Sequence, residues 1–423
     1  MSKTRQLSQR ARISGPQPIS QLMQLALARP ELISLAAGFV DQETLPVSDT
    51  AHALEVVLAD VVRARAALQY GTNAGYLPLR EGVLERFLAA DLPSLSPPPT
   101  VDQVLLTAGS NQLLHLIGEV LLNPGDLVLC AAPCYFVFLG MLDSLGARSV
   151  GVRIDEQGMI PDALEDELAR QDQAGQLERV KAIYLTSYFD NPSTVSLSLP
   201  RRAQIVEIVK RWSSRGAKIY IIDDAAYREL RYSGEDVPSL RSFDHEGDTV
   251  IVAETFSKSF APGIRVGWGI LPPDLVGPIA GLKANIDFGS PHLNQHLMAA
   301  VLERGLFEPH VLALRKSYHA KLAAMLAALD EHLSDISGVH WQSPTGGLYV
   351  WLHLPEGMDA GPAGSLMGHA LDEGMLYVPG EYCYPAEGQP RRKDKIRLSF
   401  GVQSADNICR GIEALGRAIR RSS

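Results

Sequence analysis

From Gln103 onward the sequence alternates short apolar runs with amphipathic stretches, and the apolar runs end in polar or glycine-bearing turns. That alternation predicts a mostly parallel sheet with helices on both faces. Gln103–Thr107 is a short strand turning at Ala108, Gly109, Ser110 and Asn111, and Gln112–Leu122 is a helix closed by Asn-Pro-Gly-Asp. Leu127–Ala131 runs into Ala-Pro-Cys-Tyr, and Lys181–Ser187 opens on Tyr-Phe-Asp-Asn-Pro-Ser-Thr. The next helix carries Ile205, Ile208, Val209 and Trp212 on one face, and Lys218–Asp223 is β-branched and aromatic, hence a buried strand. Val250–Ala253 is the strand that delivers a lysine-bearing turn. In open sheets of this kind ligands lie outside the carboxyl ends of the strands, where these turns fall.

Flanking this region are segments of another character. Residues 1–14 read as a flexible tail, and 15–46 as an arm with a helix over Pro16–Ala28 and a strand over Leu32–Gly38. Residues 47–292 form the expected large domain, opening with one long helix over Val47–Ala66. Residues 293–423 begin with helix from Leu293 to Leu333, kinked at Gly305, and continue through the strands GGLYVWLHL and KIRLSF to a final helix, as a smaller α+β lobe. A chain of 423 residues is long enough to bury such a two-lobed core.

The chemistry concentrates in Ala253–Gly269, AETFSKSFAPGIRVGWG. Lys258 stands there among small and apolar residues, and such surroundings favour the neutral, nucleophilic amine. Arg265 is a permanent cation that can fork onto an anion, and Ser257 adds a hydroxyl. Amine, hydroxyl and guanidinium suit an aldehyde carrying a phosphate.

The string S-K-x-x-x-P-G-x-R-x-G-W, filled by Ser257, Lys258, Gly263, Arg265, Gly267 and Trp268, resembles the lysine motif of the class I and II aminotransferases, the fold type I pyridoxal-phosphate enzymes. The nearest subgroup is the aminoadipate and kynurenine type. The resemblance runs from about Ile33 to the final helix. It implies an α/β fold: a large pyridoxal 5'-phosphate-binding domain with a mostly parallel sheet between helices, and a smaller α+β domain built from the N- and C-terminal segments.

It also implies roles. Lys258 would form the Schiff base and shuttle the α proton. Asp224, three positions before Tyr227, would face the ring nitrogen, with Asp223 as its rival, and Tyr227 and Asn191 would share the ring's phenolic oxygen. Tyr135 would stack on the ring. Gly109, Ser110 and Asn111, at a helix start, would cup the phosphate with Ser257 and Arg265. Arg397 would hold the substrate carboxylate with Gly38 close by, and Tyr70 would reach the phosphate of a neighbouring subunit, making the unit a homodimer. The reaction implied is ping-pong transamination between an L-amino acid and a 2-oxo acid. Two departures stand out. FDNPST lacks the glycine usual after Asn-Pro, so its turn is expected to differ, and Ser20 lies near where the subgroup carries an arginine for acidic substrates, which points to a neutral donor.

Composition narrows the alternatives. With 39 basic and 48 acidic side chains the net charge is −9, which disfavours nucleic acid and anionic membranes as partners. No apolar run is long enough to span a bilayer. Cys130, Cys134, Cys383 and Cys409 form neither a metal array nor a disulfide framework, which suits reduced thiols in the cytoplasm. Lyase, decarboxylase and racemase chemistry remain open on the same scaffold. An effector-sensing regulator domain is disfavoured, because about 30 residues before Ile33 are too few for a DNA-binding domain.

Overall fold

The segment Tyr220–Asp224, YIIDD, is buried at every position, so it can only be an interior strand. The computed structural model describes residues 7–15, 17–91, 94–216 and 218–422, and among them this strand lies within an eight-stranded sheet. The spatial order is Val104–Thr107, Gly267–Ile270, Val250–Thr255, Tyr220–Asp224, Val180–Leu185, Leu127–Ala132, Arg148–Asp155 and Gly158–Met159. Gly267–Ile270 runs antiparallel to both its neighbours, and Gly158–Met159 closes an edge hairpin. The other six strands point one way.

Helices cover both faces. Ser110–Leu121 buries Leu113, Leu114, Leu116 and Ile117, and Leu199–Ser213 buries Ile205, Ile208, Val209 and Trp212, the face its periodicity predicts.

Two long helical stretches are broken where their sequences permit it. The expected Val47–Ala66 helix is two helices, Val47–Ala59 and Val61–Ala67. At the break the Asp60 carboxylate accepts from the amides of Val62 and Arg63 at 2.8 and 3.0 Å and restarts the chain. The 293–333 stretch is likewise His292–Glu303 and Phe307–Leu333, because Gly305 at φ +63° ends the first helix outright instead of kinking it.

The smaller lobe is an antiparallel sheet ordered His340–Trp341, Tyr349–His353, Lys395–Ser399 and Val378–Pro379. The N-terminal segment joins it. Ile33–Ser34 pairs in parallel with Met375–Leu376, a shorter strand than the expected Leu32–Gly38, and the Ser399 amide donates to the Leu35 carbonyl at 2.7 Å. Pro16 lies outside the described residues, and the helix of the arm is Pro18–Ala28. Within the expected tail, residues 1–6 also lie outside them, while Gln9–Ile13 is a short helix whose Arg10 pairs with Glu119. No helix among the described residues is long and apolar enough to cross a membrane.

Candidate active site

Five strands of the large sheet end around one cavity of about 370 Å³. The turns after Val104–Thr107, Leu127–Ala132, Val180–Leu185, Tyr220–Asp224 and Val250–Thr255 bring Ser110, Tyr135, Asn191, Asp224 and Lys258 to its wall, and the smaller lobe adds Tyr349 and Arg397. Gly38, Asn111, Tyr227, Ser257 and Arg265 line it as well. Gly109 sits just behind Arg265, and Tyr70 alone of the expected residues is away from the cavity.

Lys258 projects from a one-turn helix, Phe256–Ser259, capped by the Thr255 hydroxyl, which accepts from the Ser257 amide at 3.2 Å. Its Nζ donates to the Gly38 carbonyl at 2.6 Å. Dehydration in the cavity lowers the pKa of the ammonium, and Arg397 and Arg265 lower it further against an opposing influence of Tyr349. A neutral amine is thereby made accessible.

Asp224 and Asp223 are adjacent on a strand, so they face opposite sides of the sheet. Asp224 lines the cavity, whereas Asp223 points away from it and accepts from the Leu240 amide at 3.4 Å. The Asp224 carboxylate accepts from the Tyr184 hydroxyl at 3.0 Å and the Ala226 amide at 3.3 Å. Burial raises its pKa to about 6, and no cation among the described residues pairs with it.

Arg397 is its counterpart of opposite sign. It is buried, donates to Asn191 Oδ1 at 2.8 Å and the Ala36 carbonyl at 2.7 Å, and leaves Nε without a partner. Both acceptors are neutral. A buried guanidinium meeting only neutral oxygens is incomplete without an anion.

The anion cradle is set by close packing. A Cβ on Gly267 would stand 2.6 Å from the Gly109 carbonyl carbon and the Ser110 nitrogen, so the start of helix Ser110–Leu121 rests directly on that strand. Gly109 caps the helix at φ +84°, and Ser110 and Asn111, the first residues of the helix, line the cavity, a position that favours an anion. Arg265 closes the cup, held in the left-handed region at φ +52° while donating to the Ala108 carbonyl at 3.0 Å and to Ser257 Oγ at 3.3 Å.

The turn holding Asn191 is built without a glycine. Thr194 occupies φ +67°, a conformation that favours glycine, and Asp190 braces the turn by accepting from the Ser193 hydroxyl at 2.6 Å and its amide at 3.1 Å. Tyr349 and Tyr184 went unread in the sequence. Each lies in an apolar strand where an aromatic reads as core, and Tyr184 could be found only by asking what satisfies a buried Asp224.

A phosphorylated pyridine aldehyde meets each unmatched group in turn. Its protonated ring nitrogen would answer Asp224, its phosphate the helix start and Arg265, its aldehyde Lys258, and the carboxylate of an amino acid bound beside it Arg397. The cavity therefore fits pyridoxal phosphate, and the fold and site together define a fold type I pyridoxal-phosphate enzyme.

Comparison with known proteins agrees. The family model described as aminotransferase class I and II matches residues 30–415. The chain is 34% identical to aromatic-amino-acid aminotransferase 1 of Thermococcus litoralis over 95% of its own length and 91% of that protein. It is 33% identical to 2-aminoadipate transaminase of Thermus thermophilus over 95% and 93%. The solved structure of Pyrococcus horikoshii kynurenine aminotransferase superposes with a TM-score of 0.89 at 31% identity, covering 99% of this chain and 97% of that one. The chain belongs to the class I and II aminotransferases, and it is a pyridoxal-phosphate-dependent enzyme acting on an amino acid and a 2-oxo acid.

Proposed function

We propose that the amino donor is an L-amino acid with a neutral, largely apolar side chain, aromatic or aliphatic. The observation that carries this is the wall away from the cofactor groups. Ile19 and Met23 from helix Pro18–Ala28, with Phe39 and Val137, supply it, while the charged residues lining the cavity are Asp224, Lys258, Arg265 and Arg397, each already matched above. Ser20 is exposed and does not line the cavity, so it offers no charge to an acidic side chain. The named relatives act on aromatic amino acids, aminoadipate and kynurenine, and an apolar wall favours the aromatic end of that range.

The chemistry that pyridoxal phosphate supplies when bound is an aldehyde for the amino group and an electron-poor ring that acidifies the α proton. Arg397 holds the α-carboxylate, with Asn191 fixing the guanidinium from behind. Lys258 Nζ would take the proton from the α carbon as the base, burial having lowered its pKa so that the neutral amine is more accessible. Asp224 keeps a proton at the ring nitrogen, and Tyr227 and Asn191 serve the phenolic oxygen. Tyr135 would lie against the ring, and Gly109, Ser110, Asn111, Ser257 and Arg265 would hold the phosphate.

Tyr70 is 76% exposed and rests edge-on against Phe288 at 5.6 Å, and Val61, Val62 and Leu68, a few positions earlier in the chain, are exposed too. That apolar surface, carrying a tyrosine with no role in its own cavity, suits a homodimer in which Tyr70 completes the partner's phosphate cup. We assign residues 47–292 to the cofactor domain, with residues 15–46 and 293–423 making the smaller one. Cytoplasmic residence suits the four free cysteines.

A single-turnover screen tests the donor class. Aromatic and branched aliphatic amino acids should bleach the bound cofactor's visible band faster, at equal concentration, than aspartate or 2-aminoadipate. Preference for the dicarboxylic donors would refute it.

A further inference from the structure

Tyr349 lies on the strand Tyr349–His353 of the smaller lobe and is buried to 2% exposure. Its hydroxyl is 3.0 Å from that of Tyr227, which also lines the cavity. Its ring lies under the Arg397 guanidinium, 4.2 Å from ring centroid to central carbon. A Cβ on Gly38 would stand 2.6 Å from the same hydroxyl, so residue 38 must lack a side chain for Tyr349 to reach across. Gly38 also accepts from Lys258, and Arg397 donates to nearby Ala36. One side chain thus touches the group assigned to the cofactor's phenolic oxygen and the group assigned to the substrate carboxylate.

The geometry points to Tyr349 as a positioning residue with two separable parts, an inference that rests on the roles proposed above for Tyr227 and Arg397. Its hydroxyl donates to the Tyr227 oxygen. Tyr227 has one proton, and if it accepts from Tyr349 that proton is directed at the ligand's phenolic oxygen instead of being spent between the two tyrosines. A donor so polarised makes the phenolic oxygen less basic, and a proton held near that oxygen is released at lower pH. The ring of Tyr349, meanwhile, offers its negative face to Arg397 and holds the guanidinium flat for a carboxylate.

The test uses purified holoenzyme and the pH titration of the bound cofactor's visible absorption band, which reads the first part without turnover. Tyr349→Phe should raise the titration midpoint by roughly half a unit to one unit, the size of one neutral hydrogen bond. Tyr227→Phe should raise it more. The double variant should match Tyr227→Phe alone, because the hydroxyl at 349 acts only through Tyr227. The second part is read by affinity for an unreactive aliphatic monocarboxylate. Tyr349→Phe, which keeps the ring, should bind it within about twofold of wild type, and Tyr349→Leu should bind it about fivefold to tenfold more weakly.

A wild-type midpoint in Tyr349→Phe, or shifts that add in the double variant, would overturn the first part. Undiminished carboxylate affinity in Tyr349→Leu would overturn the second. A wild-type protein with no visible band would overturn the cofactor roles beneath both, a distinct failure.

Discussion

Asp224 is poised for a cation, and the cost of that poise is measurable in the apoenzyme. The folded carboxyl titrates near 6 against an ordinary 3.8, because it is buried with only the Tyr184 hydroxyl and the Ala226 amide to help. Its pKa is raised on folding, so between roughly pH 4 and 6 the folded state binds the extra proton and stability falls as pH rises. A shift of about two units corresponds to about 3 kcal/mol lost by the time the pH exceeds 6. Asp224→Asn keeps the shape and removes the titration, since the Tyr184 hydroxyl can turn to accept from the new amide. Urea denaturation of the two apoenzymes should show the variant more stable by about 1–3 kcal/mol near pH 8 and the gap closing towards pH 4. Adding pyridoxal phosphate should reverse the order, because only the aspartate gains an ion pair at the ring nitrogen. Apoenzymes of equal stability near pH 8, or a gap that does not depend on pH, would refute the reasoning.

Replacing Arg397 by alanine should leave a coloured holoenzyme while lowering kcat/KM for the amino donor by roughly a hundredfold or more, and lysine at that position should recover little of it. Gly267→Ala would thrust a methyl against Gly109 and Ser110, so the dissociation constant for pyridoxal phosphate, followed by fluorescence quenching, should rise about tenfold with the fold retained. Thr194→Gly relieves a β-branched residue at φ +67°, and denaturant titration should show a gain of about 0.5–1 kcal/mol after allowing for the entropy glycine adds to the unfolded chain.

Much of this site is readable in the chain because its parts sit at strand ends, where polar residues interrupt apolar runs. The lysine turn, the Gly109–Asn111 helix start and the Asp224–Tyr227 pair are of this kind. The choice between Asp223 and Asp224 was not settled by pattern. Tyr220–Asp224 is buried on both faces, and period-2 alternation carries no signal when both sides are core. Gly267–Ile270 escaped as a strand for a related reason. Its glycines are there because the Ser110 helix and Leu113 press against it, and glycine in a short run reads as a turn. Tyr349 was legible only as a core aromatic, since its contacts are with Tyr227, 122 positions away in the other lobe, and with Arg397 and Gly38, 48 and 311 positions away in sequence. The helix breaks at Asp60 and Gly305 were signalled by a capping carboxylate and a glycine, but long helical periodicity on either side obscured them.

The account turns on which nitrogen carries the cofactor. Borohydride reduction of the coloured protein, followed by peptide mapping with mass spectrometry, fixes that nitrogen covalently. The pyridoxyl group should be found on Lys258, and Lys258→Ala should take up no label under the same treatment. Stoichiometric label on another lysine, or on the alanine variant, would contradict the account.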